Sequence, residues 1–341
     1  MSGAQVIDAV HEALPSSLQQ HPGLPVVIAH LRGLEDDASR HHLYLEWNPL
    51  KGQLDPSFVL PTRAFGAIPL PLQDVADEVA AALDPEAPGR RLLSEACRRW
   101  TARGPKDPLY PRAFSVSLEG AAEGFKDVAL VFTDFGPPIQ LGREGLGEAF
   151  ADLAVPETEA TRADLEALNP MSVGLRLDHV GAGYRRGQAV HKAYFGGRMR
   201  DLVDRLLQPA TAHLAGAHAA GLGDLADRVA DRPCAMVVDA TGGQIVRVGF
   251  ELELDVRPEE HRGYADLIFA HPLWTYAPEA LRAEQDQMRR GPVQQTLPDG
   301  YVAVLDTGHL KISFDGTETP EWKAYLRLQR VFGADEKPSS T

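Results

Sequence analysis

One short segment of the sequence alternates between two faces and places reactive side chains on one of them. In AVHKAYFGG (189–197), Lys192 and Tyr194 share one face, while Ala193 and Phe195 share the other. This is the pattern of a β-strand, in which successive side chains point to opposite sides. Cations and tyrosines recur on one face of other alternating segments. The residues on this face are Arg176, Lys192, Tyr194, Arg247, Lys311, Lys323, Tyr325 and Arg327.

The residue types on this face indicate what it could bind. Lysine and arginine side chains are costly to bury unless an opposite charge accompanies them. Several such cations together with tyrosine hydroxyls suit a diphosphate, because they can donate many charge-assisted hydrogen bonds. If the face is enclosed, we therefore expect it to hold a polyanion. An open antiparallel sheet with its polar face in water is the alternative that these segments leave open.

The elements that must position these side chains follow a repeated order. Helical patterns lead into a pair of alternating strands, and this occurs five times along the chain. Short, turn-like loops join most pairs and indicate antiparallel hairpins. The predicted strands are 25–32 and 41–47, 113–120 and 127–135, 172–180 and 189–195, 234–240 and 245–254, and 300–306 and 310–314, followed by 321–328.

Helices that separate hairpins, rather than single strands, predict an α+β fold. The simplest arrangement is a closed ten-stranded antiparallel β-barrel with an outer ring of helices, because closure leaves no exposed strand edge. We expect a single domain over residues 1–333 and a disordered tail at 334–341. A proline-rich insert at 48–73 is expected to form an ordered loop or lid.

Composition narrows the class of protein. The chain has 341 residues and a formal net charge of −14, which disfavours a nucleic-acid backbone or an anionic membrane as the main partner. Its two cysteines, Cys97 and Cys234, predict neither a disulfide framework nor a metal cluster. No segment has the pattern of a signal peptide or a membrane span, so we expect a cytoplasmic protein.

Several segments resemble motifs of the ABBA-type aromatic prenyltransferases. This group includes bacterial phenol- and naphthalene-type enzymes, dimethylallyltryptophan synthases and the enzymes that prenylate cyanobactin peptides. Their hallmark is the unit of two helices and two strands, repeated five times around a ten-stranded barrel, the PT barrel. The segments that carry the resemblance are LYLEWNPL (43–50), GFKDVALVF (124–132), VHKAYF (190–195), GGQIVRVGF (242–250) and EWKAYLRL (321–328).

The resemblance implies roles for individual residues. Tyr194 and Tyr325 would shield an allylic carbocation. The resemblance assigns diphosphate binding to four cations, Lys126, Lys192, Arg247 and Lys323, and Arg176 and Lys311 join this predicted site because they share the polar face.

A candidate base is harder to place from the sequence. The tryptophan-type enzymes carry a catalytic glutamate in the first strand of the first hairpin, and the predicted strand 25–32 has none. Glu46 on the neighbouring strand and His30 are therefore the candidates.

The implied reaction is transfer of a prenyl group from dimethylallyl or geranyl diphosphate to an aromatic ring. The acceptor would be an indole or tryptophan, a tyrosine or a phenol, either free or in a peptide. The chain has no DDxxD-type metal motif, so we expect no obligatory cofactor, and Mg²⁺ at most as a stimulant. A monomer is expected. The alternative is a non-catalytic barrel that binds a hydrophobic anion or a peptide.

Overall fold

The computed structural model of the chain describes residues 3–33, 42–61, 81, 83, 85–103, 113–119, 127–133, 146, 150, 158–185, 188–229, 232–254, 258–298 and 300–331. Eleven strands in these ranges belong to one antiparallel sheet. They are β1 (His42–Asn48), β2 (Gln53–Pro61), β3 (Ala113–Glu119), β4 (Asp127–Thr133), β5 (Arg176–Arg185), β6 (Gln188–Arg198), β7 (Pro233–Thr241), β8 (Gln244–Glu253), β9 (Val293–Thr296), β10 (Val302–Phe314) and β11 (Glu321–Val331).

The sheet closes into a barrel. Strands β1 to β8 pair in chain order, β8 pairs with β10, and β11 pairs with both β10 and β1. Ten strands therefore form a ring, and the short β9 pairs with the first residues of β10 beside it. The predicted closed ten-stranded antiparallel barrel is confirmed.

The helices lie outside the barrel. They are α1 (Gly3–Val10), α2 (Ser16–Gln19), α3 (Gly23–Gly33), α4 (Pro88–Arg103), α5 (Glu159–Ser172), α6 (Met199–Leu206), α7 (Ala212–Ala215), α8 (Ala219–Arg228), α9 (Pro258–Phe269), α10 (Glu279–Ala283) and α11 (Gln285–Met288). Among the described residues, none of these helices has the length and apolar character that crossing a membrane would require.

The hydrophobic core fills the space between the helices and the outer face of the barrel. On β1 the alternating Leu43, Leu45 and Trp47 are buried, as the period of two predicts for the face that meets the helices. Trp322 on β11 is fully buried, and its indole nitrogen donates to the carbonyl of Leu273 at 3.0 Å. Residues of the opposite parity, such as Tyr44 and Glu46 on β1, line the lumen.

The predicted strand at 25–32 is wrong, because these residues lie in helix α3. Valine and isoleucine favour strands, but Leu24 and Val27 are three apart and both are buried, which fits one face of a helix. Pro25 lies in the first turn, where a missing N–H costs no hydrogen bond. Tertiary packing thus overrides the intrinsic preference of the β-branched residues.

The first and last hairpins also differ from the prediction. β2 lies inside the segment predicted as an insert at 48–73, so the first hairpin is β1–β2. Its turn uses Gly52 at a φ of 59°, a left-handed conformation that glycine adopts without strain. The predicted strands 300–306 and 310–314 form the single strand β10, with a bulge between Thr307 and His309. The rest of the insert and the tail at 334–341 lie outside the described residues.

Candidate functional site

The inner faces of the strands enclose a polar cavity. Its volume is about 170 Å³ among the described residues. The lining residues are Tyr44, Glu46, Gln53, Asp55, Ser57, Ser115, Ser117, Ala129, Val131, His179, Lys192, Tyr194, Asp239, Arg247, Glu251, His309, Lys311, Lys323 and Tyr325. The structure thus brings together seven of the residues that the sequence suggested: Glu46, Lys192, Tyr194, Arg247, Lys311, Lys323 and Tyr325.

Four other residues that the sequence suggested are not part of this cavity lining, and one of them, Arg327, pairs with Asp306 instead. His30 is on helix α3, in the outer layer, so its predicted place on a strand is wrong; burial lowers its pKa to about 4. Arg176 begins β5, opposite Gly196 on the inner face, but its side chain is 55% exposed and pairs with Asp178 at 2.5 Å. Lys126 lies outside the described residues.

Two ends of the barrel are distinguished by their connections. The turns 49–52, 242–243 and 315–320 lie at one end, which we call the hairpin end. The strands connect to the helices at the opposite end, which we call the helix end, as where α5 leads into β5.

A cluster of charges surrounds one carboxylate at the hairpin end. Glu321 begins β11, and its Oε1 accepts from Asn48 Nδ2 at 3.1 Å and from Arg247 Nη2 at 3.2 Å. The Lys323 amino group lies 3.4 Å from the same oxygen, and Lys51 pairs with Oε2. We call these five residues the Glu321 cluster. Three cations therefore share this one carboxylate.

A second carboxylate, that of Glu46, extends this arrangement into the lumen. Glu46 on β1 forms an ion pair with Lys323 on the adjacent β11. Burial by itself would raise the pKa of Glu46, but the charge and hydrogen bond of Lys323 outweigh it and hold the pKa well below its usual range. Burial likewise opposes the charge of Lys323, yet Glu46 raises the pKa of that amino group. Both groups are ionised at neutral pH.

Lys311 occupies a different environment in the same lumen. Burial lowers its pKa, and the nearby carboxylate of Glu251, at 3.2 Å, only partly opposes this shift. Its amino group lies 5.9 Å from the centre of the Tyr194 ring, within the range of a cation–π contact. Gly249 gives this side chain room, because a Cβ atom there would lie 2.7 Å from Lys311 Cε.

Aromatic rings form part of the wall beside these charges. The His309 ring stacks on Tyr325 with centroids 4.0 Å apart, and Tyr44 lies 6.1 Å from His309. Burial lowers the pKa of His309, so its imidazole is neutral at pH 7. Its Nε2 atom is buried and makes no hydrogen bond with any described residue. His179 packs edge-on against Tyr194 at 5.5 Å.

Sequence reasoning missed some of these residues for identifiable reasons. The predicted alternation placed Arg176 on the inner face of β5, and a bulge between Leu177 and His179 shifts the parity after it, which turns His179 into the lumen. His309 lay on the polar face of its segment, yet its stacking on Tyr325 depends on a strand pairing that one sequence does not reveal. Asp239 is the single carboxylate in the otherwise apolar segment CAMVVDA. This exception was the sequence signal that could have identified it as an acidic residue of the cavity lining.

The charge balance of the lumen departs from the expectation of a cationic interior. Four lining residues are cations, Lys192, Arg247, Lys311 and Lys323, and four are carboxylates, Glu46, Asp55, Asp239 and Glu251. Buried cations are thus accompanied by buried acids, as the cost of isolated charge requires. An anion that binds in this lumen therefore competes with these carboxylates for the hydrogen bonds of the cations.

Two solved structures share this fold. A 5-dimethylallyltryptophan synthase from Streptomyces coelicolor superimposes with a TM-score of 0.54 and 13% identity, covering 95% of both chains. The prenyltransferase PriB, in a ternary complex with L-tryptophan and dimethylallyl thiolodiphosphate, also gives a TM-score of 0.54 and 13% identity, covering 95% of this chain and 94% of its own. No family model and no curated protein sequence matches the chain. The fold is therefore that of the PT-barrel prenyltransferases.

Proposed function

We propose that the protein transfers a prenyl group from an allylic diphosphate to the carbon of an aromatic ring. The observation that carries this proposal is the placement of Arg247, Lys192 and Lys323 in one closed lumen with the rings of Tyr194 and Tyr325. Cations suit the leaving diphosphate, and aromatic faces suit the carbocation left behind. The two structures of the same fold support it, since one is named a dimethylallyltryptophan synthase and the other binds tryptophan with a dimethylallyl diphosphate analogue.

The first step breaks the bond between the allylic carbon and the diphosphate oxygen. The electron pair stays on the oxygen, where Arg247, Lys323 and Lys192 stabilise the developing charge. Positive charge remains on the allyl fragment. The faces of Tyr194 and Tyr325 stabilise that charge, at about 0.5–2 kcal/mol each, and the closed wall keeps away water that would otherwise form an alcohol.

The second step forms the new carbon–carbon bond. A π pair of the acceptor ring attacks the allylic carbon, and the ring then loses a proton and regains its aromatic sextet. We assign the proton to Glu46. With the first hairpin corrected to β1–β2, Glu46 lies on its first strand, where the tryptophan-type enzymes carry their catalytic glutamate. The low pKa of Glu46 is compatible with this role, because the protonated ring intermediate is strongly acidic.

Several finer features belong to the same proposal. The donor is dimethylallyl or geranyl diphosphate, and the acceptor is an indole, a tryptophan, a tyrosine or a phenol, free or in a peptide. Lumen cations take the place of a metal cluster, so Mg²⁺ stimulates the reaction at most. Among the described residues, no group of three or more histidine, cysteine or acidic side chains is placed to hold a metal ion. We propose a monomer that acts in the cytoplasm.

A non-catalytic barrel for a hydrophobic anion or a peptide is the alternative. It would be favoured by a lumen filled with large apolar side chains, or by Arg247 and Lys192 pointing apart. In the described residues the cavity lining is mostly polar, and both cations face it. These observations favour the enzyme.

The test is direct. Purified protein is incubated with radiolabelled dimethylallyl or geranyl diphosphate and a panel of indoles, phenols and peptides that contain tyrosine or tryptophan. We expect a prenylated aromatic product and release of pyrophosphate. Absence of transfer across the panel, together with no rise in melting temperature on adding the diphosphates, would contradict the proposal.

A further inference from the structure

The carboxylate of Glu321 already occupies the donors that a diphosphate would use. Within the Glu321 cluster it accepts from Asn48 and Arg247 and pairs with Lys51 and Lys323. Its side chain is only 13% exposed. An anion that enters this end of the lumen therefore meets cations whose hydrogen bonds are partly committed to an internal anion.

Glu321 keeps its negative charge under all ordinary conditions. Burial opposes ionisation, but Arg247, Lys323 and Lys51 outweigh it and lower the pKa of this carboxyl to about 2. A carboxylate and a phosphate repel each other strongly when they are a few ångströms apart in a partly buried site. Protonation of Glu321 therefore offers no route for a diphosphate to enter at neutral pH; the side chain has to move.

The position of Glu321 in the chain allows that movement. It is the first residue of β11 and follows the turn 315–320, in which residues 315–319 are exposed and Gly316 has a φ of 83°. The cavity that the described residues line, at about 170 Å³, is smaller than the roughly 300–1,000 Å³ of most small-molecule sites. Opening the pairs around Glu321 would free donors of Arg247 and Lys323, which line the cavity.

We propose that Glu321 is an internal counter-anion that competes with the diphosphate for Arg247 and Lys323. Donor binding displaces the carboxylate, and its return to the cations helps to expel the pyrophosphate product. Glu321 thereby sets the affinity of the site for diphosphates. This inference rests on the proposed function. It adds a residue that weakens diphosphate binding, whereas the cations of the lumen strengthen it.

The test replaces Glu321 by glutamine, which keeps the shape and removes the charge. The probe is inorganic pyrophosphate, with affinity measured by titration calorimetry, so no aromatic acceptor is needed. We expect the E321Q variant to bind pyrophosphate about tenfold more tightly than wild type, a factor that corresponds to one unit of log Kd. The melting temperature without ligand should fall, because three cations lose their partner.

The opposite signs of these two effects separate competition from a merely structural role. A structural role would lower both the melting temperature and the affinity. The Glu321→Asp variant, whose shorter side chain keeps the charge but withdraws it from Arg247, should bind pyrophosphate with intermediate affinity. It also provides a second test if E321Q folds poorly.

A matched control is Asp306→Asn, which removes a carboxylate that pairs with Arg327 nearer the helix end. It changes the net charge by the same amount as E321Q, so its pyrophosphate affinity should stay within about twofold of wild type. Equal tightening in D306N and E321Q would show a general charge effect and overturn the inference.

Other outcomes are also decisive. Unchanged or weaker binding by E321Q overturns the inference, and if wild type transfers prenyl groups the proposed function still stands. Binding by E321Q alone, with none by wild type, supports the inference in its strongest form. No binding by either protein overturns it, and the transfer assay then judges the proposed function separately.

Discussion

The two ends of the barrel pair their charges in different ways. Nearer the helix end, Arg327 pairs with Asp306 through two hydrogen bonds, at 3.1 and 2.6 Å. Arg176 and Asp178 form a similar two-point contact at 2.5 and 2.9 Å. At the hairpin end, by contrast, three cations share the carboxylate of Glu321.

This difference separates cations that hold the barrel together from cations that can bind a ligand. A fork-to-fork arginine–carboxylate pair satisfies both partners and fixes their geometry. Where several cations share one carboxylate, a second anion can compete with it for their hydrogen bonds. The ratio of cations to nearby carboxylates therefore tells more about binding than the mere presence of lysine and arginine in a lumen.

The largest expected effect comes from removing one arginine at each end. Arg247→Ala should slow prenyl transfer by about 10²–10³-fold, the usual loss when one donor to a developing anion is removed. Arg327→Ala should instead destabilise the fold by about 3 kcal/mol, because it leaves Asp306, whose side chain is only 10% exposed, without its partner. Steady-state kinetics and urea unfolding of both variants measure the two effects. Equal losses of rate in both would remove the distinction between the ends.

A smaller loss is expected from a substitution that separates the chemical step from anion binding. Glu46→Gln should lower kcat by about 10²-fold, since it removes the proposed proton acceptor, while pyrophosphate should bind at least as tightly as to wild type, because Lys323 loses a competing carboxylate. A ring-deuterated acceptor should then show a larger isotope effect than with wild type, because proton loss becomes rate-limiting. Full activity in this variant would point to another acceptor, for which His309, with its buried Nε2, is the first residue to substitute.

The smallest expected effect is a difference in acid stability. The pKa of Glu321 is lowered to about 2 in the folded protein from a usual 4.5. Its pairing therefore stabilises the fold above pH 4.5, and this contribution is lost as the pH falls from 4.5 towards 2. In urea unfolding across that window, E321Q should lose less stability than wild type does. Parallel curves for the two proteins would contradict the pairing.

The barrel was predictable because its signal is repeated in many strands. Leu43, Leu45 and Trp47 alternate with polar residues on β1, and Trp322 and Ala324 alternate with polar residues on β11. Both strands therefore show the same pattern, with an apolar face towards the helices and a polar face towards the lumen. Seven lumen residues followed from that parity. The first hairpin was misplaced because PVVIAHLR has strand-forming residues, although Leu24 and Val27 are buried at helical spacing. In addition, Pro56 disguises the sequence pattern of β2, the strand that the barrel uses.

What escaped prediction depends on contacts between distant segments. The bulges on β5 and β10 change which side chains face inward, and a single sequence does not locate them. Glu321 looked like an ordinary residue at the start of a strand. Its importance arises from Asn48, Lys51 and Arg247, which reach it from two other strands and a turn.

Closure of the ring through β11 has a consequence for how the protein is made. Glu46 and Lys323 meet across the seam between β1 and β11, although they are 277 positions apart in the chain. During synthesis the other nine ring strands emerge first, and until β11 arrives β1 and β10 lack a neighbour on that side. Such distant pairings form slowly, and unpaired edges invite association with other chains. Pairing of β11 with β1 and β10 therefore completes the polar lumen. The same step covers the two strand edges through which the new chain could aggregate.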